Sequence, residues 1–359
     1  MNFVLFTTNL AGGGAEKALA KIGSGLAQLG HRVDFVVCEA TGPYPPPLGC
    51  HLHVLQAGAA SKGWLGKRAL AWRLHRWLKT APPPDLLVST LPFADEVAQL
   101  AAAPRHVCRI ANTLSQELAR LSPQKAARRA ERYRRLYGAR PLIAVSQGVA
   151  ADMQKNFGVA MQRIRTIPNP FDFAQIRDDA AQACPSRPQP PYLIHIGRYA
   201  AQKRHDLLFE AYKISGVNLP LVLLAPPEPG LQDLVVQYGL GDRLVIADFQ
   251  ANPYPWLAGA ELLVLCSDHE GLPNVLIEAL VCGTRVVSTD CPSGPREILR
   301  GELARHLAPC GDAAALAAAL RAALAQPRPT RAQVDKVLAP YAAQASLDAY
   351  IGTALEFRE

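Results

Sequence analysis

The sequence predicts two doubly wound α/β domains, each a parallel sheet covered by helices on both faces, and three observations carry that prediction. Short continuous apolar runs alternate with segments of helical period along most of the chain. The runs are apolar at nearly every position rather than at every second one, the pattern of strands buried on both faces. At 359 residues there is room for two full cores, and a proline-rich break lies near the middle.

In the first half the strand runs are NFVLFTTN, RVDFVVC, LHVLQ, DLLVST, HVCRIAN and PLIAVS. In the second half they are PYLIHIG, LVLLA, RLVIADF, ELLVLC and RVVST, after which the pattern is helical, from GDAAALAAALRAALA to the end. The break falls at IPNPFD (167–172), followed by CPSRPQPPY (184–192). Those prolines punctuate a linker. The expected division is a first domain over 1–168, a second over 169–335, and a closing segment over 336–359.

Composition narrows the class. An apolar fraction of 49% and a charged fraction of 19% belong to a globular chain. The eight cysteines have no C-x-x-C pair and no metal-type spacing, so reduced thiols and a cytoplasmic setting are expected. The opening MNFVLFTTNLAGGGAEK has no cationic leader with a cleavage site, and no apolar window approaches a membrane span. Any membrane role is therefore expected to be peripheral. The net charge of +8 is uneven: residues 1–168 hold 22 Lys and Arg against 9 Asp and Glu, and residues 169–359 hold 16 against 21. The two halves are expected to face different partners.

Ligands of doubly wound domains bind beyond the carboxyl ends of the strands, so the residues there come next. The first strand runs into NLAGGGAEKALAKI, where Gly12, Gly13 and Gly14 open a helix. They serve either as a tight turn or as a place where backbone comes close to an anion. This is not the spaced dinucleotide fingerprint, and Cys38 intervenes before Glu39 at the end of the second strand. In the second half, HIGRYAAQKRHDLLFEA places Arg198 and Lys203 in a strand-to-helix turn, suited to phosphate oxygens. A later strand runs into SDHEGLPNVLIEAL. It supplies Glu270, a helix start whose amides at Asn274, Val275 and Leu276 form an anion site, and Glu278 inside an apolar helix closed by Gly283. One ligand fits the set: a nucleoside diphosphate, with phosphates on Arg198, Lys203 and the helix start, and ribose hydroxyls on Glu278. A buried Glu278 satisfied by backbone amides stays open beside that reading.

The string Gly197-Arg198…Lys203, the E-x7-E pair Glu270/Glu278, IPNPFD, GGGAEK and STDCPSGPREIL closely resemble family 4 of the retaining glycosyltransferases, over nearly the whole chain. The resemblance implies a GT-B fold: two Rossmann-like domains facing a cleft, acceptor side first and nucleotide-sugar side second, with a C-terminal helix crossing back. It implies a retaining hexosyltransferase that uses a nucleotide sugar, read as UDP-linked, in surface polysaccharide synthesis. It assigns Arg198 and Lys203 to the diphosphate, Glu278 to ribose and Glu270 to the sugar. Gly197, Gly271, Leu272 and Asn274 would approach sugar or phosphate, and Gly13 and Gly14 would approach the donor from the first domain. Many members carry a histidine after the fifth strand; here the chain reads RIANTLSQEL, so Asn112 or Arg109 is expected in that role, His106 lying at the strand's other end. No D-x-D occurs, so no cofactor and no metal requirement are expected, fixed charges and a helix dipole taking the metal's part.

Two other classes compete. A non-hydrolysing sugar-nucleotide epimerase would use a similar fold without an acceptor. A nucleic-acid-binding protein is prompted by the pI of 9.1, but no nucleic-acid module appears. The basic first half has a more specific feature. SKGWLGKRALAWRLHRWLKT (61–80) carries six Lys and Arg and no acidic residue, with Leu70, Ala71, Leu74, Trp77 and Leu78 on one helical face and Arg68, Trp72, Arg76 and Lys79 opposite. A second helix, QKAARRAERYRRLY (124–137), puts Arg128, Arg132 and Arg135 on one side. These are either solvated basic surfaces or a dock for anionic lipid at the inner face of the cytoplasmic membrane. The dock suits a polyprenyl-diphosphate-linked glycan as acceptor.

Overall fold

The structure, a computed structural model, describes residues 1–10, 13–42, 45–56 and 63–357. It divides into two compact units, Met1–Pro170 with Ala343–Glu359, and Phe171–Ala342.

The first unit is built on β1 (Asn2–Thr7), β2 (Arg32–Glu39), β3 (His51–Gln56), β4 (Leu86–Thr90), β5 (His106–Ile110), β6 (Leu142–Ala144) and β7 (Ile164–Thr166). They form one parallel sheet in the order β3-β2-β1-β4-β5-β6-β7. Phe3 pairs with Val33 on one side and Leu86 on the other, so β1 is central and buried on both faces, as its continuous apolar run requires. The helix Gly14–Gln28 lays Leu19, Ile22 and Leu26 on Phe3, Leu5 and Phe35. On the other face Leu70, Ala71 and Leu74 of the helix Trp64–Thr80 meet Val4, Phe6 and Val36.

The second unit repeats the plan with β8 (Leu193–Ile196), β9 (Leu221–Leu224), β10 (Leu244–Ala247), β11 (Leu262–Leu265), β12 (Arg285–Thr289) and β13 (Leu307–Ala308), parallel and ordered β10-β9-β8-β11-β12-β13. From β8 the chain winds one way through β9 and β10; from β11 it winds the other way through β12 and β13. The reversal between the neighbours β8 and β11 is a topological switch point.

Two strands differ from the apolar-run expectation. β7 has the sequence Ile-Arg-Thr and β13 is only Leu-Ala; both are edge strands, where one side needs no apolar cover. RVVST is therefore not the last strand. The crossings also differ. The chain leaves the first unit after Pro170 and returns at Ala343, not at 168 and 336. Phe171 donates its amide to Tyr341 and forms a bridge with Ala342, so the residues at each crossing belong to the second unit. Residues 336–338 finish the helix Arg331–Leu338, whose Val334 and Leu338 are buried there.

The helix Ala343–Glu356 completes the first unit's core with Leu347, Tyr350 and Ala354. Gly25 makes the seat: a β-carbon there would lie 2.7 Å from Leu347 Cδ1. Leu347→Ala is expected to lower the stability of the first unit by about 2–4 kcal/mol through the cavity it leaves. Urea unfolding checks this, and an unchanged first-unit transition would mean that the helix is not seated as described.

Candidate active site

The loops after β8 and β11 emerge side by side because the two strands are neighbours, with Leu262 opposite Leu193 and Leu263 opposite Ile194. After β8 come Gly197 and Arg198, the 3-10 turn Ala201–Lys203, and the helix His205–Ser215. After β11 the chain passes through residues 266–273 into the helix Asn274–Val281. The sequence-predicted Lys203 and Glu270 meet directly: Nζ lies 2.6 Å from Oε1, with the side chains 19% and 11% exposed. Such a half-desolvated charged pair is stronger than a surface one.

The two loops are stitched together around that pair. The Asp268 amide donates to the Gln202 carbonyl at 2.9 Å, and Gln202 Nε2 donates to the His269 carbonyl at 2.5 Å. Cys266 Sγ donates to the Lys203 carbonyl at 3.0 Å, and burial pushes its thiol pKa up, so it keeps the proton it donates. Arg204 takes the left-handed backbone (φ 50°) that usually falls to glycine. Its guanidinium is fixed by Asp206 at 2.8 Å and Asp268 at 3.0 Å. Gly197 lies close under the His195 ring, where a β-carbon would come within 3.2 Å of Nε2, while Lys203 would stay at an ordinary 3.5 Å. Arg198 is exposed and makes no hydrogen bond or ion pair with another described residue.

Glu278 is buried in the helix Asn274–Val281, where Tyr254 of the helix Tyr254–Gly259 donates its hydroxyl to Oε1 at 3.3 Å. Burial and the neighbouring carboxylate hold the Tyr254 hydroxyl pKa well up, so it remains a donor. The protein thus supplies Glu278 with a side-chain partner from a neighbouring helix. One expected amide is not free: Leu276 N donates to the Pro273 carbonyl at 3.0 Å, because Pro273 caps the helix and the first turn closes tightly. Asn274 and Val275 stay partly exposed at the helix start, while Gly271 and Leu272 are buried in the loop before it. Gly294, with φ 97°, holds that loop down: a β-carbon there would lie 2.3 Å from Pro273 Cδ and 3.2 Å from the Gly271 carbonyl oxygen.

In the first unit Gly13 precedes the helix Gly14–Gln28 and Gly14 opens it, exposed to open space; Gly12 lies outside the described residues. Asn112 is partly exposed but committed: Nδ2 donates to Glu117 at 2.6 Å and Oδ1 accepts from the Thr113 amide at 2.9 Å. Arg109 is only 1% exposed, and its Nη2 donates to Asn169. Its Nε and Nη1 are buried without a hydrogen-bond partner among the described residues. His106 is buried against Ser89 at 2.8 Å, and burial pushes its pKa down to about 3. Ser89 and Tyr137 also bond to Asp95, whose carboxyl burial pushes up to about 7. Ligand-type atoms of Asp95, His106 and Cys108 lie within 4.8 Å of one another, and each Asp95 oxygen accepts one hydrogen bond of that network.

The two basic helices need one correction. Arg132 is not free for an outside partner, because it and Lys67 both bind Glu96 of the helix Pro92–Leu100. Arg128 is exposed, and Arg135, also exposed, lies 3.6 Å from Glu131. On the helix Trp64–Thr80 the exposed stripe is longer than expected: Trp64 is 67% exposed, Leu65 73% and Trp72 59%. Arg68 lies over the Trp64 ring at 4.9 Å and Arg76 over Trp72 at 5.5 Å. The four-residue spacing of 64, 68, 72 and 76 carried that signal in the sequence. Gly294 sat inside a motif already singled out, whereas Tyr254, Gln202 and Cys266 had no local signal.

Residues 12–175 match the family described as Glycosyltransferase Family 4, and residues 177–337 match Glycosyl transferases group 1. The chain is 31% identical over 161 residues to the N-acetylgalactosamine-N,N'-diacetylbacillosaminyl-diphospho-undecaprenol 4-alpha-N-acetylgalactosaminyltransferase of Campylobacter jejuni, covering 44% of this chain and 43% of that protein. It is 30% identical over 182 residues to the lipopolysaccharide 1,6-galactosyltransferase of Escherichia coli, covering 48% and 49%. The matched stretches thus span less than half the length of these relatives. Among solved structures, sucrose-phosphate synthase from Thermosynechococcus elongatus superposes with a TM-score of 0.80 at 19% identity, covering 99% of this chain and 98% of that one. HepE from Anabaena, in complex with UDP and glucose, gives 0.73 at 18%, covering 99% of each. These two likenesses show the shared two-domain GT-B fold.

Gly294→Ala is expected to cost about 1–3 kcal/mol, since it combines left-handed strain with a clash on Pro273. A melting temperature lowered by several degrees checks it, while an unchanged one would show that the 271–274 loop can move aside.

Proposed function

The chain belongs to family 4 of the GT-B glycosyltransferases, and from that premise we propose that it transfers a hexose or N-acetylhexosamine from a UDP-sugar to a glycan acceptor with retention of configuration. The observation that carries this reading is the meeting of Lys203 with Glu270 beside the helix start that leads to Glu278. The diphosphate would lie on the amides of Asn274 and Val275, with Arg198 and Lys203 as counter-charges. Glu278 would accept ribose hydroxyls and Glu270 those of the sugar. Charge that develops on the leaving diphosphate is met by fixed cations and a helix start, so the reading needs no metal.

Lys203→Ala is expected to lower turnover by about two to three orders of magnitude with little loss of fold, because its charge matters most as the diphosphate leaves. Glu278→Ala acts on binding instead. Calorimetry in EDTA should show weaker UDP binding by a folded Glu278→Ala protein, and unchanged affinity would sink the ribose assignment.

The acceptor is read as lipid-linked, presented at the cytoplasmic face of a membrane. None of the described helices is long and apolar enough to cross a bilayer. The stripe Trp64, Leu65, Arg68, Trp72 and Arg76 alternates rings that suit the headgroup region with cations that suit anionic lipid. Arg128 of the helix Pro123–Tyr137 adds to it, and each cation near an anionic leaflet contributes on the order of 1 kcal/mol. Binding to vesicles rich in phosphatidylglycerol is expected to fall with salt, with Trp64→Ala plus Trp72→Ala, and with Arg68→Glu plus Arg76→Glu. Equal partitioning onto neutral vesicles, or none onto either, would favour a soluble acceptor.

A further inference from the structure

We infer that the Lys203–Glu270 ion pair makes the site favour an intact sugar nucleotide over the nucleoside diphosphate left after transfer. The inference rests on the donor reading above and concerns what happens to Glu270 when a phosphate claims its lysine.

The lysine and the carboxylate pair at 2.6 Å, both largely out of solvent. A diphosphate drawn to Lys203 competes for that charge. Glu270 then faces an added anion and loses part of its counter-charge, the costly way to break a desolvated pair. It has little freedom to swing out to water. Its amide donates to the Pro292 carbonyl at 3.3 Å, and the two preceding residues are tied to Gln202. Arg204 is no substitute cation, since Asp206 and Asp268 already hold its guanidinium.

A sugar nucleotide brings its own remedy. Hydroxyls of the transferred sugar donate to the carboxylate that the lysine has partly released, so phosphate binding and sugar binding are coupled through one pair. A nucleoside diphosphate brings phosphates without hydroxyls. It therefore binds against the carboxylate, and it leaves as the ion pair re-forms. Glu270 acts in this scheme as a specificity group for the intact donor and as a device that expels the spent one.

The test uses the full chain in EDTA. UDP, UDP-glucose, UDP-galactose, UDP-N-acetylglucosamine and UDP-N-acetylgalactosamine are titrated into wild type, Glu270→Gln and Glu270→Ala by calorimetry, with circular dichroism to confirm folding. In both variants UDP is expected to bind tighter by about tenfold, while the best sugar nucleotide binds no tighter than to wild type. The wild-type preference for the intact donor should thus shrink by about tenfold or more. UDP affinity that is unchanged or weaker in both folded variants overturns this inference and leaves the donor reading standing. A wild-type chain that binds none of the five nucleotides overturns both.

Discussion

The second unit's chemistry depends on one constraint of topology, the reversal of winding between β8 and β11. Two adjacent parallel strands whose connections depart in opposite directions leave a gap above their carboxyl ends that neither connection can cover. The register of Leu262 with Leu193 and of Leu263 with Ile194 fixes how far each loop rises before turning. That is how residues 67 positions apart come within hydrogen-bond distance without a specific long-range motif. The stitching by Asp268, Gln202 and Cys266 then removes the slack that two loops would otherwise have.

Charge is handled in opposite ways in the two units. In the second unit every charged group near the crevice but Arg198 has a protein partner, so the site is preorganised by ion pairs that a ligand must rearrange. Buried carboxylates are tolerated there because each faces a donor held by another element: Lys203 for Glu270, and Tyr254 for Glu278. In the first unit most cations of the two basic helices are exposed, Arg109 of β5 is buried, and Glu96 secures Lys67 and Arg132 from two different helices at once. That single glutamate links the helices Trp64–Thr80 and Pro123–Tyr137 through the helix Pro92–Leu100.

What could be read from the sequence follows from how local the determining physics is. The central strands were legible because burial on both faces leaves a continuous apolar run, as in Phe3-Val4-Leu5-Phe6. β7 and β13 were not, because an edge strand of two or three residues is too short to show an apolar run. The helix from Asn274 was legible from its proline and glycine, and so were the residues lining the crevice, since they all follow strand ends. The Lys203–Glu270 contact itself was not, because nothing within either loop specifies the side chain it will meet. Arg132 shows the same limit from the other side: its helix pattern marks it as exposed, and only the neighbouring helix supplies Glu96. Arg109 is legible as a residue near a strand end, but its bond to Asn169 is not, since the two lie 60 positions apart.

The seating of Leu347, Tyr350 and Ala354 among Leu19, Ile22 and Leu26 has a consequence for how the protein is made. On the ribosome those three residues emerge only after the whole of Phe171–Ala342, which is contiguous and can close its core as soon as it is released. Until then the nascent first unit shows an uncovered apolar groove along one helix and waits for its last element. The piece synthesised first is thus the last to be finished, and the interval in between is when a chaperone has most to hold on to.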